Sequence, residues 1–376
     1  MARINFIVTV PIETPGEDII YLTGNHYELG NWDPCGVALN KTGACEYQIE
    51  LELPEGMTLE YKITRGSWET VEVSENFNYI ENRIDYINYD EDIYIRVENW
   101  EDCYEKTGKN TLTGNFDIHR NFYSHYLDDT RTIMVYLPPG YNYEDNHYPV
   151  LYLHDGQNVF DASTSYGGVE WRVDETAERL IREGRIRKII MVAIYNDRDR
   201  DDEYTHTYDP SEGTGGKVEN YGNFIVKELK PFIDSNYRTI NKPEETAIMG
   251  SSLGGLCSLY LSWKYKKVFS LAGVISPSLW WDDRDIIKQI QEDQNFEGPE
   301  KIWLDAGTRE GEDEDNDGLC EMVENARNLG EILIEKGYEL NKNLFYLEAH
   351  GADHSENAWS NRVEQILLAL FGIRSK

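Results

Sequence analysis

The stretch that decides the fold runs from Thr246 to Gly255 and reads TAIMGSSLGG. The residues TAIM predict a buried strand, and the apolar run that begins at Gly255 predicts a helix. The turn between them matches G-x-S-x-G with Ser252 at its centre. Glycines beside a serine let it adopt a strained backbone conformation that exposes its hydroxyl. The pattern therefore predicts a nucleophile elbow, but so short a motif also occurs in ordinary strand-to-helix turns.

Buried apolar runs alternate with amphipathic segments on both sides of this turn. They include VLYLHDG, ETAERLIREG, KIIMVAIY, LAGVIS, KIWLDAG, NLFYLEA and NRVEQILLALFG. This alternation predicts one large doubly wound α/β domain over residues 115–376. Residues 1–102 instead carry short alternating runs separated by turn residues, which predict an all-β, immunoglobulin-like sandwich. The polar segment 103–114 between them predicts a linker.

Composition disfavours some classes of binding partner and some cellular locations. A chain of 376 residues is long enough for two domains, and a net charge of −33 disfavours nucleic acid and anionic membranes as partners. No run approaches the length of a membrane-spanning helix. The five cysteines predict reduced thiols, with a Cys35–Cys45 pair left open. The start MARINFIVTVP lacks signal-peptide features, which predicts a cytoplasmic protein, or a secreted one if the sequence has been trimmed.

A serine nucleophile needs an imidazole base, an acid and two oxyanion donors. After an elbow, the expected chain order is serine, acid, histidine. Two histidines follow the strand NLFYLEA, and His354 is better placed on the loop than His350, which we expect to be packed or at the surface. The oxyanion donors are expected to be the backbone N–H groups of Leu253 and of Gln157, beside Gly156.

The acid should follow the strand KIWLDAG. Four carboxylates lie there: Glu310, Asp313, Asp315 and Asp317. Glu310 is nearest to the end of the strand, whereas Asp305 lies within it and equally suits a structural role.

Several separated motifs together resemble a known family over about residues 115 to 375. They are YPVLYLHDGQNVFD, RDDEY, GSSLGG, LDAGTRE and GADHSENAW. The family is that of esterase D and feruloyl esterase-like proteins (carbohydrate esterase family 1 type), α/β-hydrolases that include feruloyl, acetyl and siderophore esterases and S-formylglutathione hydrolases. The resemblance implies Ser252 as nucleophile, His354 as base and Glu310 as acid, without a cofactor in catalysis. Glu310 departs from the aspartate that the family often has.

The segment GNHYELGNWDP, residues 24–34, with LEYK, GSWE and NR further on, resembles the family 20 starch-binding module over most of residues 3–102. The resemblance implies a starch or glycogen-like α-glucan partner. Trp32 and Trp68 would stack on sugar rings, with Lys62 and Asn82 as hydrogen-bonding partners of the sugar hydroxyls. The alternative is that one of the two tryptophans belongs to the core.

One acidic loop matches the calcium pattern D-x-[DN]-x-[DN]-G-x5-E. Its ligands would be Asp313, Asp315, Asp317 and Glu324. A structural calcium ion is thus one interpretation, and a solvated acidic loop is the other.

The sequence as a whole predicts a serine esterase that acts on an acylated sugar or related small ester and is tethered to an α-glucan. The alternatives are a siderophore-type or thioester hydrolase and a catalytically inactive glucan-binding protein.

Overall fold

The computed structural model describes residues 1–11, 14–15, 18–43, 45–74, 80, 82–101, 111–311 and 319–373, apart from the side chain of residue 69. The chain divides into two compact units, Met1–Thr107 and Gly108–Lys376, so the division falls inside the predicted linker.

The first unit consists of short strands. They are β1 Ala2–Thr9, β2 Tyr21–Gly24, β3 Val37–Ala38, β4 Asn40–Lys41, β5 Glu46–Leu53, β6 Met57–Thr64, β7 Glu72–Val73, β8 Arg83–Ile87, β9 Glu91–Arg96 and β10 Asn99–Trp100. Two four-stranded sheets have the orders β4-β5-β1-β9 and β3-β2-β6-β8. Alternate residues of β1 are buried, and Phe6 packs edge-on against Tyr61 of the other sheet, with ring centroids 5.6 Å apart. The predicted sandwich is confirmed.

The second unit is built on one eight-stranded sheet in the order β11-β12-β14-β13-β17-β18-β19-β20. Its strands are β11 Asn115–Ser124, β12 Asp129–Leu137, β13 Val150–Leu153, β14 Ile190–Ile194, β17 Thr246–Ser252, β18 Leu271–Pro277, β19 Lys301–Arg309 and β20 Leu344–Asp353, with β15 Tyr208–Asp209 and β16 Thr214–Gly215 forming a separate hairpin. In this order, the neighbouring strands from β14 to β20 are parallel. The pairs β11–β12 and β12–β14 are antiparallel.

Helices cover both faces of this sheet. They are α1 Val173–Arg182, α2 Arg200–Tyr204, α3 Val218–Phe224, α4 Lys230–Asn236, α5 Leu253–Lys264, α6 Trp281–Glu292, α7 Glu321–Glu335, α8 Glu356–Ser360 and α9 Val363–Phe371, with a π-helical turn, Ile225–Leu229, between α3 and α4. Tyr152 packs into the cluster that contains Leu256 of α5, and the next residue, Leu153, packs into the cluster that contains Leu367 of α9. Burial on both faces is why these strands read as continuous apolar runs. The doubly wound α/β prediction is confirmed.

The cysteines that the structure describes, Cys35, Cys45, Cys257 and Cys320, are free thiols. The interpretation that Cys35 pairs with Cys45 is therefore wrong; the Cys35 thiol instead donates to the backbone oxygen of Gly66 at 3.1 Å. Over the described ranges, no helix is both long and apolar enough to cross a bilayer.

Candidate active site

Ser252 lies at the point where β17 ends and α5 begins. Its backbone has φ 57° and ψ −126°, a conformation that side-chain-bearing residues rarely adopt. The flanking glycines are required by close packing: a Cβ on Gly250 would lie 2.7 Å from the backbone of Gly254, and one on Gly255 would lie 2.7 Å from the carbonyl oxygen of Ile275. The elbow therefore presents the Ser252 hydroxyl at the carboxyl end of the central strands.

Three predicted residues form one hydrogen-bonded chain at this point. The Oγ of Ser252 lies 3.0 Å from Nε2 of His354, and Nδ1 of His354 lies 3.2 Å from Oε2 of Glu310. Glu310 directly follows β19 and His354 directly follows β20. His350, by contrast, is an exposed residue within β20. The parallel register of β17, β18, β19 and β20 thus brings together residues that are far apart in the sequence.

Glu310 is fully buried and held in its charged form. Burial by itself raises a carboxyl pKa, but hydrogen bonds from His354 and Ser276, together with the charge of Arg362, outweigh it and lower the pKa of Glu310 below its usual value. The Ser276 hydroxyl donates to Oε1 at 2.7 Å, and Nη2 of Arg362 donates to the same oxygen at 3.2 Å. An ionised carboxylate therefore faces the imidazole.

Asp305 belongs to the support of this site, and its hydrogen bonds go to residues other than His354. It accepts hydrogen bonds from Nη1 of Arg362 at 2.8 Å, from the Ser276 N–H at 3.0 Å and from the Trp303 indole at 2.6 Å. Burial raises its pKa. Asp305 is thus a structural carboxylate with its hydrogen bonds made, which was one of the two interpretations of this residue.

Sequence reasoning missed three residues of this support. Arg362 ties Asp305 to Glu310, and the indole of Trp359 donates to the Ser276 hydroxyl at 3.1 Å. The Trp359 ring also meets His354 edge-on, with centroids 4.9 Å apart. Trp359 is the last residue of the motif GADHSENAW, but the motif gave it no role. No sequence pattern pointed to Arg362 or Ser276.

A cavity of about 590 Å³ opens beside Ser252 and His354. Arg200 forms a two-point ion pair with Asp155 in its wall, with N–O distances of 2.7 and 2.9 Å. Across the cavity, Asn158 donates to Glu356 at 3.0 Å. Burial, reinforced by the charge of Asp155, raises the pKa of Glu356 to about 7.

The predicted oxyanion donors belong to the start of α5 and to the wall of the cavity. Leu253 is the first residue of α5, where backbone N–H groups have no partner within the helix. Gln157 lines the cavity from the short turn Gly156–Asn158. The Gln157 side chain is already paired with Asn196 at 2.7 Å, so only its backbone N–H is a candidate donor. The oxyanion role of the Leu253 and Gln157 backbone groups remains a prediction.

In the first unit, Trp32 and Trp68 form an aromatic pair. Their ring centroids lie 6.4 Å apart, Trp68 is 44% exposed and Trp32 is half-buried. Asn82 is half-buried and donates to Glu60 at 3.2 Å. Lys62 is 3% exposed within β6, and its Nζ donates to the carbonyl oxygen of Ile80. Its predicted hydrogen bond to a sugar hydroxyl stays a prediction.

The predicted calcium loop falls largely outside the described residues, since Asp313, Asp315 and Asp317 are all within 312–318. Glu324 lies half-buried in the first turn of α7. Calcium binding by this loop stays a prediction.

Comparison with known proteins adds two family matches. The family model described as "Putative esterase" matches residues 124–370, and that described as "Starch binding domain" matches residues 1–92. The chain is 24% identical to "Uncharacterized protein YbbA" of Bacillus subtilis over 66% of this chain and 96% of that protein. It is 33% identical to an amylopullulanase of Thermoanaerobacter thermohydrosulfuricus over 32% of this chain and 9% of that protein.

Two solved structures share the fold. The enterobactin esterase FES of Shigella flexneri has a TM-score of 0.53 at 14% identity, covering 97% of this chain and 92% of its own. The CE1 ferulic acid esterase of Anaeromyces mucronatus has a TM-score of 0.50 at 22% identity, covering 70% and 91%. With a family match over most of its length, the chain belongs to the "Putative esterase" family of carboxylic ester hydrolases and carries a starch-binding domain at its N-terminal end.

Proposed function

We propose that Ser252 is the nucleophile of a serine esterase, with His354 as its base and Glu310 as the acid that orients the base. The observation that carries this proposal is the hydrogen-bonded chain Ser252–His354–Glu310 at a strained elbow. His354 Nε2 accepts the Ser252 proton as Oγ bonds to the ester carbonyl carbon, and then returns that proton to the departing alcohol. Water next attacks the acyl-serine while His354 accepts a proton from it. As the bond between the acyl carbon and Ser252 Oγ breaks, that proton passes to Oγ and the carboxylic acid is released.

The negative oxygen that forms on the carbonyl carbon needs preorganised donors. We assign this role to the backbone N–H groups of Leu253, which directly follows the serine, and of Gln157, in the wall of the same cavity. The ionised Glu310 stabilises the imidazolium that forms on His354 during the attack.

The substrate that suits the cavity best is an acylated sugar or a similarly hydroxylated small ester. The wall carries both donors and acceptors, among them Asn158, Asn196, Arg200 and Glu356. A volume of about 590 Å³ is within the usual range for small-molecule sites. The net charge of −33 opposes the approach of polyanionic substrates.

The N-terminal domain holds the enzyme on an α-glucan in this proposal. The exposed Trp68 and its neighbour Trp32 offer two aromatic faces on which sugar rings can stack. Tethering raises the local concentration of substrate without adding contacts in the active site.

A siderophore-type hydrolase is the second candidate. It is favoured by the fold likeness to the enterobactin esterase, which extends over 97% of this chain and so includes the N-terminal unit. In that case the N-terminal unit would serve a purpose other than binding glucan.

A substrate panel with matched serine variants tests the proposal. The panel contains an aryl acetate, acetylated and feruloylated sugars and a catecholate trilactone. Ser252→Ala should reduce kcat by about 10⁴-fold or more with the fold intact, while Ser251→Ala, at the buried neighbouring position, should keep most of the activity. Loss in Ser251→Ala alone would overturn the assignment of the nucleophile. Exclusive turnover of the trilactone would favour the second candidate.

A further inference from the structure

Three carboxylates converge on one point away from the catalytic serine. Glu170 lies just before α1, and Asp174 and Glu175 lie in its first turn. Each residue contributes one carboxylate oxygen, and these three oxygens all lie within 4.8 Å of one another. Asp174 is fully buried and Glu170 is 6% exposed. We call these three residues the acidic cluster.

The cluster has fewer partners than its burial requires. Within the described part of the chain, Oε2 of Glu170, Oδ1 of Asp174 and Oε2 of Glu175 are buried and accept no hydrogen bond. The other oxygen of Asp174 accepts the Thr113 N–H at 2.6 Å. A buried carboxylate oxygen without a donor or a cation costs several kcal/mol in general, so three at one point call for a ligand.

Electrostatics lead to the same conclusion. Burial, and next its contact with Glu175, raises the pKa of Asp174 to about 9, and burial raises the pKa of Glu170 to about 7. The nearby cation, Arg172, is exposed and lies 3.5 Å from Glu175. Burial therefore opposes three negative charges at this point unless a cation shares it.

We propose that the acidic cluster binds one Ca²⁺ ion. The donor set consists of hard carboxylate oxygens, which calcium prefers. Calcium accepts six to eight oxygen ligands in irregular geometry, whereas magnesium demands a near-ideal octahedron and usually keeps several waters, so a buried set of protein carboxylates suits calcium better. One Ca²⁺ together with Arg172 balances the three negative charges.

The ion would join three parts of the second unit. Asp174 belongs to α1 and is bound to Thr113, on the segment that leads into β11. Glu170 directly follows Val169, which lines the cavity beside Ser252. Calcium at this point would therefore stiffen one wall of the active site, without taking part in the chemistry.

The rival explanation is a pair of carboxyl groups that share a proton between Asp174 and Glu175, with no ion. A second rival places calcium in the loop of Asp313 and Asp317. The first rival predicts no response to calcium at all, and the second makes the loop residues, not the acidic cluster, responsible for that response.

The experiment titrates CaCl₂ into the full-length, chelator-treated protein and follows both heat and Tm. The wild type should bind one ion at the cluster and gain about 4 °C in Tm. Asp174→Asn and Glu170→Gln should each weaken binding at least tenfold. Without calcium their Tm should equal or exceed that of the wild type, because each replaces a carboxyl group whose charged form burial disfavours with a neutral amide. Glu183→Gln, an exposed position next to the end of α1, is the matched control and should behave as the wild type.

Three results would overturn the proposal. The first is a wild type that shows neither heat nor a shift in Tm with calcium. The second is a response that survives in both Asp174→Asn and Glu170→Gln, or that disappears instead in an Asp313→Asn, Asp317→Asn double variant. The third is magnesium binding as tight as calcium binding, which would reject the choice of ion. Because Glu170→Gln leaves α1 unchanged, it decides the question if Asp174→Asn does not fold.

Discussion

Replacing Glu310 by glutamine should disable the catalytic base while leaving its position almost unchanged. Glu310 accepts hydrogen bonds from His354, Ser276 and Arg362. An amide of the same shape offers an NH₂ group toward Nδ1 of His354, which favours the tautomer with its proton on Nε2. That nitrogen then cannot accept the proton of Ser252.

The expected loss in kcat is about 10⁴-fold, equivalent to about 5.4 kcal/mol of transition-state stabilisation, with KM changed little. The effect on stability should be smaller than the 3–5 kcal/mol or so that a broken buried ion pair costs. The reason is that Arg362 keeps its second partner, Asp305, at 2.8 Å.

Steady-state kinetics on an aryl ester, with circular dichroism and Tm on the same samples, measure both effects. Asp305→Asn is the matched control, because it removes the negative charge beside Arg362 without touching His354. It should lower Tm and leave kcat nearly unchanged. His350→Ala should be nearly silent, because that side chain is exposed within β20. Near-normal kcat in Glu310→Gln, or an equal loss of kcat in well-folded Asp305→Asn, would refute the assignment of the acid.

Two further predictions concern the surface tryptophan and pH. Trp68→Ala should weaken retention on an amylose or cyclodextrin matrix about fivefold, since an aromatic contact contributes about 1 kcal/mol; unchanged retention would contradict glucan binding through this pair. In chelator, Tm should fall as pH rises from about 6 to about 9, because the raised pKa values of Glu170 and Asp174 give stability that is lost when those protons leave. Thermal melts should show a flatter profile in Asp174→Asn, and a wild-type Tm that is constant or rises over this range would count against the buried cluster.

The sequence by itself determined both folds and two members of the hydrogen-bonded chain, Ser252 and His354. The elbow at Ser252 was readable because its glycines and the flanking strand and helix patterns are local features. His354 followed from chain order, since few histidines come after the serine. The sandwich and the doubly wound sheet were readable because the period of apolar residues records how many faces of a strand are buried.

Only the tertiary structure decided which carboxylate faces His354 and which groups keep it charged. Glu310, Arg362 and Ser276 come from separate elements, and their contacts depend on the register of β18, β19 and β20.

The burial of Lys62 and the meeting of Glu170 with Asp174 were likewise beyond the reach of sequence patterns. A side chain's partners and its access to water depend on distances across the fold, and short-range periodicity does not encode those distances.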